Sequence, residues 1–262
     1  MSYQIAILIT TFLRDKLLYK TLQTIVENYT NNCIVLIADQ GYTSEEKTRE
    51  IDYIKSQIPC EYYNIPFDSG LSFGRNFLVK KAEEMNISYC LLSADSIQFT
   101  TPYNFNPFID FLQNNSKAAL IGFELQNSKC PWEFIIEVTP RGIKCLLPTE
   151  YITFTNQQLL KVDICRNIFL AKTVVLLDSP YDEELKLAEH ELFFIGLKQR
   201  GWQCYWSDSL IFDRCSPRPS QEYEQYRKRF GDYLKIAKQK LGISGWIIYN
   251  NKKVSNEKNR EN

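Results

Sequence analysis

The sequence reads as an α/β protein: a mostly parallel sheet flanked by helices, with a C-terminal helical appendage. Three observations predict this. Near-continuous apolar runs with β-branched residues, such as YQIAILITTF and CIVLIADQG, are typical of strands covered on both faces. Segments of helical periodicity separate such runs through the first third of the chain, which implies βαβ units. The runs end on polar residues, and ligands of doubly wound sheets sit beyond the carboxyl ends of the strands.

Each element has its own signal. After the first run, Leu17, Leu18, Leu22, Ile25 and Val26 fall on one helical face. The second run ends at Asp39 and the turn residue Gly41. TSEEKTREIDYIKSQI carries an N-cap hydroxyl with acids close behind, so it starts a helix. CEYYNI reads as a third strand, DSGLSFGRNFLVKKAEEM as a third helix and ISYCLLSAD as a fourth strand. Beyond residue 116 the texture changes. KAALIGFEL, WEFIIEVTPRGIKCLL and NIFLAKTVVLL read as shorter strands, mixed or antiparallel, with TPRG as a hairpin turn. AEHELFFIGLKQRG reads as a helix closed by Gly201, and WQCYWSDSLIFDR as one or two strands. SQEYEQYRKRFGDYLKIAKQKLG reads as one long amphipathic helix. The expected organisation is one domain over 1–215, a helix and strand packed on it over 216–250, and a disordered polar tail over 251–262.

Composition narrows the classes. With 31 basic and 31 acidic residues the net charge is zero, which argues against a nucleic-acid footprint. The 16 Tyr and 16 Phe suit a concave ligand surface. No two of the eight cysteines are spaced as CxxC, so they are expected to be reduced thiols of a cytoplasmic protein rather than zinc or redox ligands. No apolar stretch nears the ~20 residues of a membrane span, so any membrane association is expected to be peripheral.

Taken in order, ILITTF, LIADQG, GLSFGRN, LLSADS, AEHELFF and SLIFDR resemble the inverting glycosyltransferases of GT-A fold in family 2, and are most similar to the β-1,4-N-acetylgalactosaminyltransferase-like branch. The likeness spans roughly residues 4–215. It implies a UDP-sugar donor, an N-acetylhexosamine or hexose as the group moved, and a glycan or lipid-linked acceptor of polysaccharide biosynthesis. It places Thr10 and Thr11 in the nucleotide cleft, Asp39 on the uracil ring, and Gly70, Arg75 and Asn76 at the helix start that flanks the nucleotide. Ser93 and Asp95 fall in the metal and ribose motif. Asp213–Arg214 fall where a strand-end His often ligates the metal. Each has a plainer reading: Asp39 as a turn former, Gly70 as a helix-start turn, Arg75 as a salt-bridge partner, Asp95 as a cap.

Glu189, His190 and Glu191 fall in the segment that supplies the base. Anchoring on Phe193–Phe194 puts His190 at the base position. Anchoring on the acid before leucine puts Glu189 there, with Glu191 as the acceptor-binding acid. A carboxylate is favoured because most relatives use one. The family implies Mn²⁺ or Mg²⁺ against the departing diphosphate. Here the acids expected around Ala94–Asp95 are Ser93 and Ser96, and the expected His is Arg214. Asp95 alone is a poor hard-cation site. Metal independence is therefore favoured, with Arg214, alone or with Arg218, as the stand-in cation; the alternative is weak metal binding through Asp95 and the diphosphate alone. A second reading is a catalytically silent nucleotide-sugar-binding subunit. A nucleotidyltransferase would want a Gly-rich phosphate loop after the first strand, and TTFLRDK lacks one. The C-terminal helix, with Tyr223, Tyr226, Arg227 and Arg229, is expected either to close over the acceptor or to serve only as packing.

Overall fold

The computed structural model describes residues 3–126, 132–155 and 157–249. The expected tail at 251–262 lies outside the described residues. The chain runs β1 (Ile5–Thr11), α1 (Asp15–Glu27), β2 (Cys33–Asp39), α2 (Glu45–Gln57), β3 (Cys60–Asn64), α3 (Leu71–Glu84), β4 (Tyr89–Ala94) and β5 (Ile97–Gln98). It continues through α4 (Asn106–Asn114), β6 (Ala118–Gln126), β7 (Ile135–Thr139), β8 (Gly142–Leu146), β9 (Tyr151–Phe154), β10 (Gln157–Val162) and β11 (Phe169–Lys172). Last come α5 (Thr173–Asp178), α6 (His190–Gln199), β12 (Gln203–Arg214), α7 (Gln221–Arg227), α8 (Phe230–Leu241) and β13 (Ile247–Tyr249).

The main sheet has the order β3-β2-β1-β4-β11-β6-β12-β10-β9, with β5 paired to the end of β12. Its first four strands are parallel, as are β6 and β12, and the remaining pairs are antiparallel. Strand β1 explains why the parallel part reads as unbroken apolar runs. Ala6 and Leu8 enter the core on one face of the sheet, while Ile5, Ile7 and Ile9 enter the core on the other. Parallel register sets Thr10 beside Ala94 on one flank and Thr11 beside Asp39 on the other. All three strands therefore end at one level, where the cleft opens.

Helix starts follow their caps. The Ser44 hydroxyl accepts the Lys47 N–H and opens α2. Gly70 opens α3 at φ +100°, a conformation that glycine tolerates. A Cβ there would lie 2.7 Å from the Lys186 Cα, so the position also excludes any larger residue. The TPRG turn joins β7 to β8, and Gly201 follows α6 at φ +79°.

Two expectations change. The TVVLL stretch after β11 is the helix α5, not strand. The Thr173 hydroxyl donates to the Ile87 carbonyl, and α5 packs against α3, so tertiary contact overrides β-propensity. The single long C-terminal helix is two helices, α7 and α8, broken at Lys228–Arg229. Arg229 explains the break: its guanidinium donates to Asp68 at 2.6 Å, lies 4.8 Å from the Tyr226 ring centre, and its N–H turns back to the Tyr226 carbonyl. Strand β13 then joins β7 and β8 in a small second sheet.

Candidate active site

A cleft of about 470 Å³ opens at the carboxyl ends of β1 and β4. A smaller hollow of about 50 Å³ adjoins it and shares Thr10, Arg14, Leu71, Tyr223 and Arg227 as lining. Among the residues singled out in the sequence, Thr10, Arg75, Ser93, Glu189, His190, Glu191 and Arg214 line the cleft, and Gly70 lines the hollow. Thr11, Asp39, Asn76 and Asp95 line neither cavity.

The strand ends make the floor. Asp95 is fully buried, and its carboxylate is spoken for. Arg14 Nε donates to one oxygen at 3.0 Å, the Thr11 hydroxyl donates to the same oxygen at 2.8 Å, and Arg14 Nη2 takes the other. Burial pushes the Asp95 carboxyl above the ordinary carboxylate value, and Arg14 and Thr11 pull against it. Asp39 is also fully buried. It accepts the Gly41 N–H at 2.7 Å, Lys47 Nζ at 2.6 Å and the Tyr62 hydroxyl at 2.7 Å. Its carboxylate thus braces the turn after β2 and does not face the cleft. The neighbour Gln40 faces the hollow instead, with its Oε1 accepting the Gly70 N–H at 2.7 Å.

Helices α3 and α6 make the wall. Arg75 Nη1 donates to Glu189 Oε1 at 2.6 Å, and both groups are buried. Burial works against the Arg75 charge, but Glu189 and Tyr181 outweigh it and hold the guanidinium above its ordinary pKa. The Tyr181 ring lies 4.7 Å from the guanidinium. Asn76 fixes this wall from behind: its amide donates to the Tyr181 carbonyl and to Glu183, and its Oδ1 accepts the Tyr181 N–H. Ala188 turns the chain at φ +60° just before the helix, which sets Glu189 at its N-cap and His190 and Glu191 on its first turn. His190 Nδ1 lies 2.9 Å from Asn167 Oδ1, and Trp132 and Phe194 meet its ring edge-on.

Cationic side chains complete the cleft. Strand β12 ends against β5, with Arg214 opposite Ile97, which brings Arg214 to the edge of the Asp95 turn. Helix α7 caps the hollow. Its Tyr223 ring lies 4.9 Å from the Arg14 guanidinium carbon, and Tyr226 meets Phe12 edge-on at 4.9 Å. Arg214 and Arg227 line the cleft, and neither has a carboxylate within ion-pair distance among the described residues. Arg166 also lines it, with Glu133 3.5 Å behind. Sequence reasoning missed Arg14 and Arg166, and gave Gln40 no role. Arg14 sits before a helix with no motif around it, and only its cross-chain partner identifies it.

The residues present do not fit a divalent ion. The two oxygens of Asp95 face Arg14 and Thr11, and the flanking positions are the hydroxyls of Ser93 and Ser96. No group of three or more His, Cys, Asp or Glu among the described residues is placed to hold a metal.

No family model matches the sequence, and no curated protein matches it. Solved structures do match in fold. A 1–349 fragment of TarS from S. aureus in complex with UDP-GlcNAc aligns with TM-score 0.64 at 12% identity, covering 89% of this chain and 65% of that one. GalNAc-T7 with UDP, GalNAc and Mn²⁺ aligns with TM-score 0.61 at 10% identity, covering 92% and 55%. The mannosyltransferase PcManGT from Pyrobaculum calidifontis, with GDP-Man and Mn²⁺, aligns with TM-score 0.60 at 9% identity, covering 90% and 64%. The chain spans 42% of a longer TarS structure. No helix among the described residues is long and apolar enough to cross a membrane. The α/β architecture, with its parallel strands flanked by helices, is the fold of the GT-A glycosyltransferases.

Proposed function

We propose that the chain is an inverting glycosyltransferase that moves an N-acetylhexosamine or hexose from a UDP-sugar to a glycan or glycolipid acceptor. The observation that carries this reading is one cleft with two chemistries: arginines at the strand-end floor, and Glu189, His190 and Glu191 on the opposing wall. Glycosyl transfer needs both. As the acceptor hydroxyl attacks the anomeric carbon, its proton must pass to a base within hydrogen-bond reach. The bond from that carbon to the diphosphate breaks at the same time, and the departing charge needs cations against it. One base and one in-line displacement, with no covalent intermediate, invert the anomeric configuration. Uridine is favoured as the nucleoside because TarS and GalNAc-T7, two of the fold neighbours, hold UDP or a UDP-sugar.

The base is His190 in this reading. Glu189 is clamped by Arg75, whose Nη1 occupies its Oε1 at 2.6 Å. Asn167 Oδ1 lies 2.9 Å from His190 Nδ1, and in this reading Nδ1–H donates to it and Nε2 takes the acceptor's proton. Glu189 then positions Arg75, and Glu191 contacts the acceptor. A silent binding subunit is the second reading, favoured by the sequestered Asp95. The deciding experiment incubates the protein with UDP-, GDP- and ADP-sugars and follows nucleotide release and product configuration by NMR. Turnover of a UDP-sugar with inversion is the expected result. Binding without turnover for every donor would move the protein to the second reading.

A further inference from the structure

Asp95 sits where a GT-A cleft would hold its metal, yet nothing on it remains for a metal. Both oxygens are taken, the side chain is fully buried, and its main-chain carbonyl accepts the Thr21 hydroxyl at 2.7 Å. An ion could enter only by evicting Arg14, which would leave a guanidinium without the counter-charge that holds it. The burial is one-sided: the Asp95 side chain is fully enclosed and that of Arg14 is 29% exposed, so the carboxylate is the group that most needs its partner. Arg14 is held from the other side as well, by the Tyr223 ring of α7.

Its position is informative. Arg14 lines both the cleft and the hollow, so it stands at their junction. Nε and Nη2 point back to Asp95, while Nη1 makes no hydrogen bond among the described residues. Ser93 lines the same cleft at 4% exposure, and its hydroxyl has no hydrogen-bond partner among the described residues. A buried hydroxyl without a partner costs free energy, so a ligand oxygen is the expected occupant of that spot. Arg214 and Arg227 line the same cleft without carboxylate partners among the described residues. A guanidinium is always charged, planar, and matched to phosphate oxygens in pairs.

We propose that Arg14, anchored on Asp95, is the resident cation of the cleft and binds the diphosphate of the donor together with Ser93, so that no divalent metal takes part in binding. This rests on the nucleotide-sugar reading above but assigns the cation to a different residue than the strand-end Arg214 that the sequence points to. Arg214 and Arg227 become outer contacts of the same anion.

The test is calorimetric titration of inorganic pyrophosphate and of UDP, each in EDTA and each in Mn²⁺. The wild-type affinity is expected to agree within about twofold between the two conditions, and Arg14→Ala to weaken both ligands by about tenfold or more. Arg14→Lys should recover part of the loss, since lysine keeps charge but not the fork. Ser93→Ala should weaken both ligands by about threefold to tenfold. Because Arg14→Ala strands a buried carboxylate, Arg14→Ala with Asp95→Asn is measured beside it; its thermal transition reports folding, and the same loss of binding is expected. Binding of UDP only in Mn²⁺, or unchanged binding in the double variant, overturns the proposal and leaves the transferase reading standing. Metal-free, Arg14-dependent binding of pyrophosphate with no binding of any nucleotide or nucleotide sugar upholds the anion site and overturns the transferase reading. Absence of binding by either probe in either condition overturns both.

Discussion

The floor and the wall of the cleft are both built on carboxylate–cation pairs, but they present different members of the pair to the cavity. On the floor, Asp39 and Asp95 lie behind the surface, bound to Lys47 and Arg14, and of these only Arg14 lines the cavity. On the wall, Arg75 and Glu189 both line the cavity, and His190 and Glu191 stand beside them. The floor thus offers cation to a ligand, whereas the wall offers acid and base. The difference teaches that a buried ion pair can serve as scaffold or as working surface, according to which partner reaches the cavity.

The sharpest way to break the comparison is at the wall. His190→Ala is expected to lower kcat by about 10²–10⁴ while UDP affinity holds, because it removes the base and no donor contact. Steady-state kinetics with calorimetry check this. A larger loss in Glu189→Gln or Glu191→Gln would return the base to a carboxylate.

Next in size is the wall's scaffold. Arg75→Met leaves Glu189 buried without its partner, and is expected to cost about 3–5 kcal/mol of stability. Denaturant unfolding measures it, and Arg75→Met with Glu189→Leu should restore most of the loss, since apolar replacement of a whole buried pair is often neutral.

The floor should respond more mildly at Asp39. Asp39→Asn is expected to cost about 1–3 kcal/mol, the scale for leaving buried groups poorly partnered. Lys47 keeps Asp15 at 2.9 Å, which limits the damage. Relative affinity for UDP over GDP should not change, since the Asp39 carboxylate braces the turn; selective loss of UDP binding would place it on the uracil ring.

The smallest effect is at the edge, where Asp68 pairs with Arg229 and Lys186. Burial raises the Asp68 pKa, but hydrogen bonds from Arg229 and Lys186 outweigh it and leave the carboxyl below its ordinary 3.8. A lowered folded value means the pair contributes fully above pH 3.8 and loses its contribution as pH falls through the lower folded value. Since Arg229 is 37% exposed on its side chain, Asp68→Asn should cost about 0–1 kcal/mol at neutral pH. The difference between wild type and variant should vanish in denaturant melts at the acid end.

The order of strands and helices through the first hundred residues was legible because local pattern decides it. Strands such as β1 and β2 are apolar on both faces, and Ser44 and Gly70 mark helix starts by their own chemistry. The break at Arg229 and the helix at Thr173 were not legible, because distant partners, Asp68 and Ile87, decide them. The same division runs through the site. That Ser93 and Ser96, and no acids, flank Ala94–Asp95, and that the segment at 189–191 concentrates acid and base, stand in the sequence itself. That Arg14 takes Asp95 does not. The two are 81 residues apart, and they meet only because β1 lies beside β4 in a parallel register that matches Thr10 with Ala94. A sequence records which charges a chain carries and which local pattern surrounds each; strand register and helix packing choose which opposite charge each one meets. At this cleft that choice turns an expected metal ligand into the anchor of an arginine.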